Sequence, residues 1–230
     1  MMKLTVLGKY GPYGKAGNGA ASSYLVENNN EYLVLDMGPG TLSRLQSVVD
    51  IKNVHYIYLS HLHYDHTSDF LAFRYLLEDT GHRITLLTHD EDSEWYKLLV
   101  SHPLISVRNI DESTLIKTET MTLKFFKMKH TVPCYAIRIE GEKTLVYTGD
   151  TMYNDNIPKA MKGADAVLAD CSKPVGFHGP HMTADIAIEL YNKTHVPIIA
   201  THLSPDYSPE EDFKECEGIT VAEELKTYLI

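Results

Sequence analysis

The segment Leu59-Ser60-His61-Leu62-His63-Tyr64-Asp65-His66 constrains this chain more than any other. Three histidines and one aspartate fall within six residues, directly after the apolar run Tyr56-Ile57-Tyr58-Leu59. A run of aromatic and β-branched residues reads as a buried strand, so the histidines sit where that strand ends. Residues two apart on an extended chain share a face, which lets His61 and His63 point their imidazoles at one metal ion. Asp65 and His66 are expected in the following turn, where they can be aimed elsewhere. Neutral imidazole and carboxylate oxygen suit zinc, and also iron or manganese. A histidine-rich surface loop is the plain alternative, and it gives no reason for matching residues at later strand ends.

Such residues are present. His130 follows the strand-like run 123–128, Asp150 follows 145–147 in Tyr147-Thr148-Gly149-Asp150-Thr151, and His202 follows 198–200. Strands hold side chains rigidly, so a metal site assembled from several strand ends needs this distribution.

Apolar periodicity and turn residues predict further strands at 3–7, 23–26, 31–36, 84–87, 134–139, 144–147, 166–169 and 197–200. Helices are expected at 41–49, 67–78, 91–100, 158–162 and 183–192, with a closing helix at 221–229. Thr41 and Thr183 are candidate N-caps, and Gly81 is a candidate helix stop. Trp95, the one tryptophan, reads as core packing. The glycine-rich loop from Gly8 to Gly19 lacks the Walker pattern and precedes a strand, so it reads as a strand-to-strand connection over the site. Two halves of β and then α segments meet with no composition break, which predicts a single domain over residues 1–230.

The net charge of −10 argues against a general nucleic-acid binder, which needs basic groups to gather phosphates. The densest basic group, Lys124, Lys127 and Lys129, reads as a solvated strand face. No apolar stretch of about 18 residues predicts a membrane helix. The start of the chain lacks a secretory pattern, and Cys134, Cys171 and Cys216 form no disulfide framework or zinc knuckle. A cytoplasmic protein is the expectation.

The ordered set from His61 to His202 resembles the five metal motifs of the metallo-β-lactamase superfamily of hydrolases. That resemblance implies an α/β fold, a four-layer αββα sandwich of two mixed sheets with helices on both outer faces. It implies two divalent metal ions, zinc favoured, with manganese or iron open. One ion would be held by His61, His63 and His130, the other by Asp65, His66 and His202, with Asp150 bridging. The nucleophile would be a hydroxide shared by the ions, with Asp65 orienting it or taking its proton. No nucleophilic serine or cysteine is then required.

The segment Gly179-Pro180-His181-Met182-Thr183-Ala184-Asp185 resembles the His-x-Thr element of the ribonuclease Z-like phosphodiesterase branch. This implies that His181 donates a proton to the leaving oxygen, supported by Asp170 where the branch usually has glutamate. His178 is a lower-ranked rival for that role. Thr131-Val132-Pro133-Cys134-Tyr135-Ala136 and Ser22-Ser23-Tyr24 resemble the same branch. Two departures matter. Between Thr151 and Met161 there is no room for a basic RNA-gripping arm, and Asp206 stands where an arginine is expected. The chain therefore resembles small, arm-less bacterial members.

The expected activity is that of a metal-dependent phosphodiesterase on a small or cyclic substrate, with a homodimer possible. A β-lactamase or thioesterase is the alternative, and transfer-RNA 3′-end processing is disfavoured. A non-catalytic metal-binding module should have lost some of the seven ligand positions. An oxygen-reducing di-iron relative usually carries glutamate where His63 stands.

Overall fold

The computed structural model describes residues 1–17 and 19–230. In chain order the strands are β1 (Met2–Gly8), β2 (Ser23–Asn28), β3 (Glu31–Leu35), β4 (Val54–Tyr58), β5 (Ile84–Thr88), β6 (Ile105–Asn109) and β7 (Leu115–Lys117). They continue as β8 (Thr122–Met128), β9 (Cys134–Glu140), β10 (Thr144–Tyr147), β11 (Ala166–Asp170), β12 (Ile198–Thr201), β13 (Ile219–Val221) and β14 (Thr227–Leu229). The helices are α1 (Leu42–Val48), α2 (Tyr64–Thr80), α3 (Glu94–Val100), α4 (Asn156–Met161), α5 (Ala184–Thr194) and α6 (Glu210–Phe213). Two seven-stranded sheets result, ordered β14-β1-β2-β3-β4-β5-β6 and β13-β12-β11-β10-β9-β8-β7. Both are mixed: β3 to β6 run parallel in the first and β10 to β13 in the second.

Side-chain alternation explains the layering. Tyr24 and Val26, Leu33 and Leu35, and Tyr58 face Ile137, Leu145, Tyr147 and Leu168 in a core between the sheets. Their neighbours Leu25, Val34 and Ile57 point the other way, onto Leu45, Phe70, Phe73 and Leu77 of α1 and α2. In the second sheet Val146, Val167 and Ile198 likewise turn outward onto Ile157, Ala160, Ala187 and Leu190 of α4 and α5. Strands buried on both faces read as near-continuous apolar runs. The architecture is the four-layer αββα sandwich.

Parallel ordering brings the carboxyl ends of β3, β4 and β5 to one edge, and those of β10, β11 and β12 to one edge of the partner sheet. Because β8 and β10 both run antiparallel to β9, β8 ends at that same edge. Open α/β sheets gather ligands at such edges.

Several elements depart from the sequence expectations. The helix expected at 67–78 starts earlier, at Tyr64 with His63 as N-cap, so Asp65 and His66 lie in its first turn instead of a loop. Gly81 ends it in the left-handed conformation, as expected. The helix expected at 91–100 begins at Glu94, because the Ser93 hydroxyl accepts the Tyr96 N–H. No closing helix forms at 221–229. Leu225 takes φ 61°, and residues 227–229 pair as β14 with β1, while β13 extends the second sheet beside β12. Two open sheet edges outcompete a helical spacing that had only one face to bury. The short strands β6 and β7 were not expected. Trp95 is half-buried, its indole N–H donating to Thr67 Oγ1.

Thr41 and Thr183 stand at N-cap positions, but neither side chain makes a capping bond. Asp69 of α2 caps α1 instead: its Oδ2 accepts the Thr41 and Leu42 N–H groups, both at 2.8 Å. Asp69→Ala should lower the unfolding free energy by about 1–2 kcal/mol in urea titrations, because it removes a helix cap supplied in trans.

Candidate metal centre

The strand ends and the first turn of α2 bring two groups of ligand atoms together, each group within 4.8 Å: His61, His63, His130 and Asp150, and Asp65, His66, Asp150 and His202. Asp150 belongs to both. A third group joins Asp150, Asp170 and His181. All seven residues expected as ligands are in the first two groups, and both expected dyad residues are in the third.

Local structure explains the convergence. The Leu59 N–H donates to Leu87 O, which carries the sheet one residue past β4 and aims His61 off its end. The Tyr135 N–H donates to Ser60 O and ties this turn to the second sheet. Asp150 follows Gly149, whose φ of 58° and closeness to Ser60 leave no room for a side chain: a Cβ there would lie 2.9 Å from Ser60 Cβ. The glycine-rich loop does reach the site. A Cβ on Gly11 would lie 1.9 Å from His202 Cε1, so only glycine lets the loop seat against that imidazole. Asn18 of the loop lies outside the described residues.

In the first group His63 Nδ1 lies 3.0 Å from His61 Nε2 and 3.3 Å from His130 Nε2. In the second, His66 Nε2 is 3.5 Å from Asp65 Oδ2 and 3.3 Å from Asp150 Oδ1, and His202 Nε2 is 3.1 Å from Asp150 Oδ2. His66 Nε2 and Asp150 Oδ1 are nevertheless buried without a hydrogen-bond partner. Buried polar atoms are seldom left so. Two unpaired buried atoms at the centre of such a cluster are suited to a shared cation, and the donor set of imidazoles and carboxylates fits divalent ions.

For His61, His202 and His130 electrostatics point the same way. Burial and the neighbouring imidazoles hold His61 and His202 well below the ordinary histidine range. Burial takes His130 down to about 4. Neutral imidazoles present the lone pairs that a metal needs. Burial pushes the Asp150 carboxyl up to about 6, against the pull of His66. Burial would also lower His66, but Asp150, Asp65 and Asp36 outweigh it and hold the group high.

Each of four imidazoles is oriented through its other nitrogen. His66 Nδ1 bonds Asp36 Oδ2 at 2.7 Å, and His61 Nδ1 bonds Ser60 Oγ at 3.1 Å. His202 Nδ1 bonds Ser22 Oγ at 2.9 Å and His130 Nδ1 bonds Pro180 O at 3.0 Å. Such outer contacts fix ring orientation and tautomer. Asp36 was not anticipated. It is fully buried with φ 56°, and accepts from Ser60 N, Ser60 Oγ and Tyr147 OH as well as bonding His66. In the sequence it reads as the last residue of the strand expected at 31–36. The usable signal was an acidic residue closing a buried strand beside glycine and proline.

His181 Nδ1 bonds Asp170 Oδ2 at 2.9 Å and lies 3.8 Å from Asp150 Oδ2. The shorter aspartate therefore does reach. Burial alone would lower His181, but the Asp170 charge and hydrogen bond raise it above the ordinary range. His178 is exposed. Cys134 and Cys171 are free, and burial pushes both thiols well up, away from nucleophilic thiolate.

The "Beta-lactamase superfamily domain" profile matches residues 32–202. The chain is 32% identical over 178 residues to the probable metallo-hydrolase YhfI of Bacillus subtilis, covering 74% of this chain and 72% of the relative. The crystal structure of that metallo-β-lactamase fold protein superposes with a TM-score of 0.92 at 26% identity, covering 99% of this chain and 98% of the other. Two more distant structures share the fold. A diphosphatase from the PhnP family has a TM-score of 0.82 at 18% identity, covering 100% and 98% of the two chains. The short form of human tRNase Z has a TM-score of 0.78 at 18% identity, with 99% of each chain covered. The chain belongs to the metallo-β-lactamase superfamily. With its two His/Asp groups, it is a metallo-hydrolase of that fold.

Proposed function

We propose that this protein is a dinuclear metal-dependent phosphodiesterase acting on a small or cyclic phosphodiester. The observation that carries the reading is the His181–Asp170 dyad beside the carboxylate common to both ligand groups. His61, His63 and His130 would hold one ion and Asp65, His66 and His202 the other, with Asp150 shared; zinc suits this donor set. Divalent ions bound there would lower the pKa of water to roughly 7 and polarise the phosphoryl oxygen.

The remaining work falls to side chains of this chain. Asp65, at the amino-terminal turn of α2, can orient the attacking water and accept its proton. His181 keeps Nδ1 engaged with Asp170, so the proton on Nε2 is the one available to the leaving oxygen. The Asp170 charge favours the imidazolium that donates it. A diphosphatase and a tRNase among the structural neighbours support chemistry at phosphorus. Three unpaired cysteines suit a reducing cytoplasm, and no helix among the described residues is long and apolar enough to cross a membrane. We read residues 1–230 as one domain.

Metal-loaded protein should release nitrophenol from bis(p-nitrophenyl) phosphate. Turnover of nitrocefin or a thioester without diesterase activity would overturn the assignment, and fewer than two ions per chain by elemental analysis would remove its dinuclear part. His181→Ala should lower kcat by about 10²–10⁴-fold, the usual share of a general acid, with metal content unchanged.

A further inference from the structure

The connection from β11 to α5 carries a cation, Lys173, beside the segments that bear His181 and His202, and the reaction proposed above does not use it. Lys173 lies between Asp170 and His181 in the chain, and its backbone is tied to the segment bearing His181. It bridges to Thr183, and its carbonyl accepts the Ala184 N–H at 3.1 Å. The neighbouring Ser172 carbonyl accepts the Ser204 N–H at 3.3 Å, which joins this connection to the segment after His202. The Lys173 ammonium spans the same gap, donating to Ser204 Oγ at 2.5 Å. It is thus held between two segments whose histidine rings, His181 and His202, stack with centroids 5.1 Å apart. The Phe177 ring lies 5.2 Å from Nζ and covers one side.

No carboxylate forms an ion pair with Lys173 among the described residues, although the chain carries 31 acidic residues against 21 basic ones. A half-buried lysine needed only for packing would run its charge out to water. This one is anchored by a neutral hydroxyl, which engages one of three ammonium donors and leaves the charge uncancelled. A positive charge kept unneutralised at the edge of a site is suited to an anionic group on the ligand.

We propose that Lys173 binds a second anionic group, carboxylate or phosphate, carried by the leaving half of the substrate, so that the preferred substrate is a phosphodiester with a charged leaving alcohol. The position relative to the reaction rests on the reading that His181 protonates the leaving oxygen.

The test uses methyl phosphate diesters of 4-hydroxy-3-nitrobenzoate and of its neutral amide, whose leaving phenols are both coloured. A third diester bears a phosphomethyl group at the same ring position and ranks phosphate against carboxylate. The metal-loaded protein should prefer one of the charged substrates by about tenfold in kcat/KM, mostly through KM. Lys173→Met should erase that preference, bringing the charged diesters down to the level of the amide diester, and Lys173→Arg should restore much of it. Binding of the three free phenols, followed by calorimetry, gives a readout independent of turnover. Lys173→Met should weaken only the charged phenols, by a similar factor. An unchanged preference in Lys173→Met, or an equal loss on all three diesters, overturns the proposal. If no diester is cleaved, the phosphodiesterase reading fails, and the calorimetry still decides the role of Lys173.

Discussion

Asp150→Ala is expected to lower kcat/KM by about a thousandfold or more and to leave the purified protein short of both ions by elemental analysis. Asp150 is the one residue common to the two ligand groups. Its two oxygens face His66 on one side and His61, His130 and His202 on the other. Ions held by the two groups would repel each other, and a shared carboxylate would place negative charge between them. A variant that keeps both ions and most activity would refute the sharing of this carboxylate. Unchanged far-ultraviolet circular dichroism would show that the loss is chemical.

A second large effect is expected at a residue that touches neither substrate nor metal. Asp36→Ala should destabilise even the chelator-treated protein by about 3–5 kcal/mol in urea unfolding, because it leaves buried donors without their acceptor. Ser60 N at 2.7 Å, Ser60 Oγ at 2.7 Å and Tyr147 OH at 2.6 Å would all be stranded, and His66 would lose its orienting contact. Metal affinity should fall as well, by about 10–100-fold, the usual cost of losing an outer contact to a ligand. A variant as stable as the parent would show that water can replace the carboxylate.

The contrast between Asp150 and Asp36 marks what could be read from residue order. The candidate ligand positions are legible because most of them follow an apolar run at a strand end, a pattern local in sequence. The mixed sheets were legible only through the resemblance to a known family, since periodicity cannot say which strands pair. Asp36 was not legible, because its partners Ser60, His66 and Tyr147 are scattered along the chain. The missing closing helix has a similar cause. Residues 221–229 hold no local signal of the open edges beside β1 and β12 that recruit them as strands. The early start of α2 was hidden by the metal motif itself, whose Tyr64, Asp65 and His66 double as the opening helical turn.

The ligand groups also have a mechanical side. His61, His63, Asp65 and His66 come from the end of the first sheet, whereas His130, Asp150 and His202 come from the second, and each group draws on both. An ion in either group would therefore act as a rivet through the sandwich. To peel the sheets apart, the chain would have to give up its metals first, so the lifetime of the folded state should track the lifetime of the bound ion.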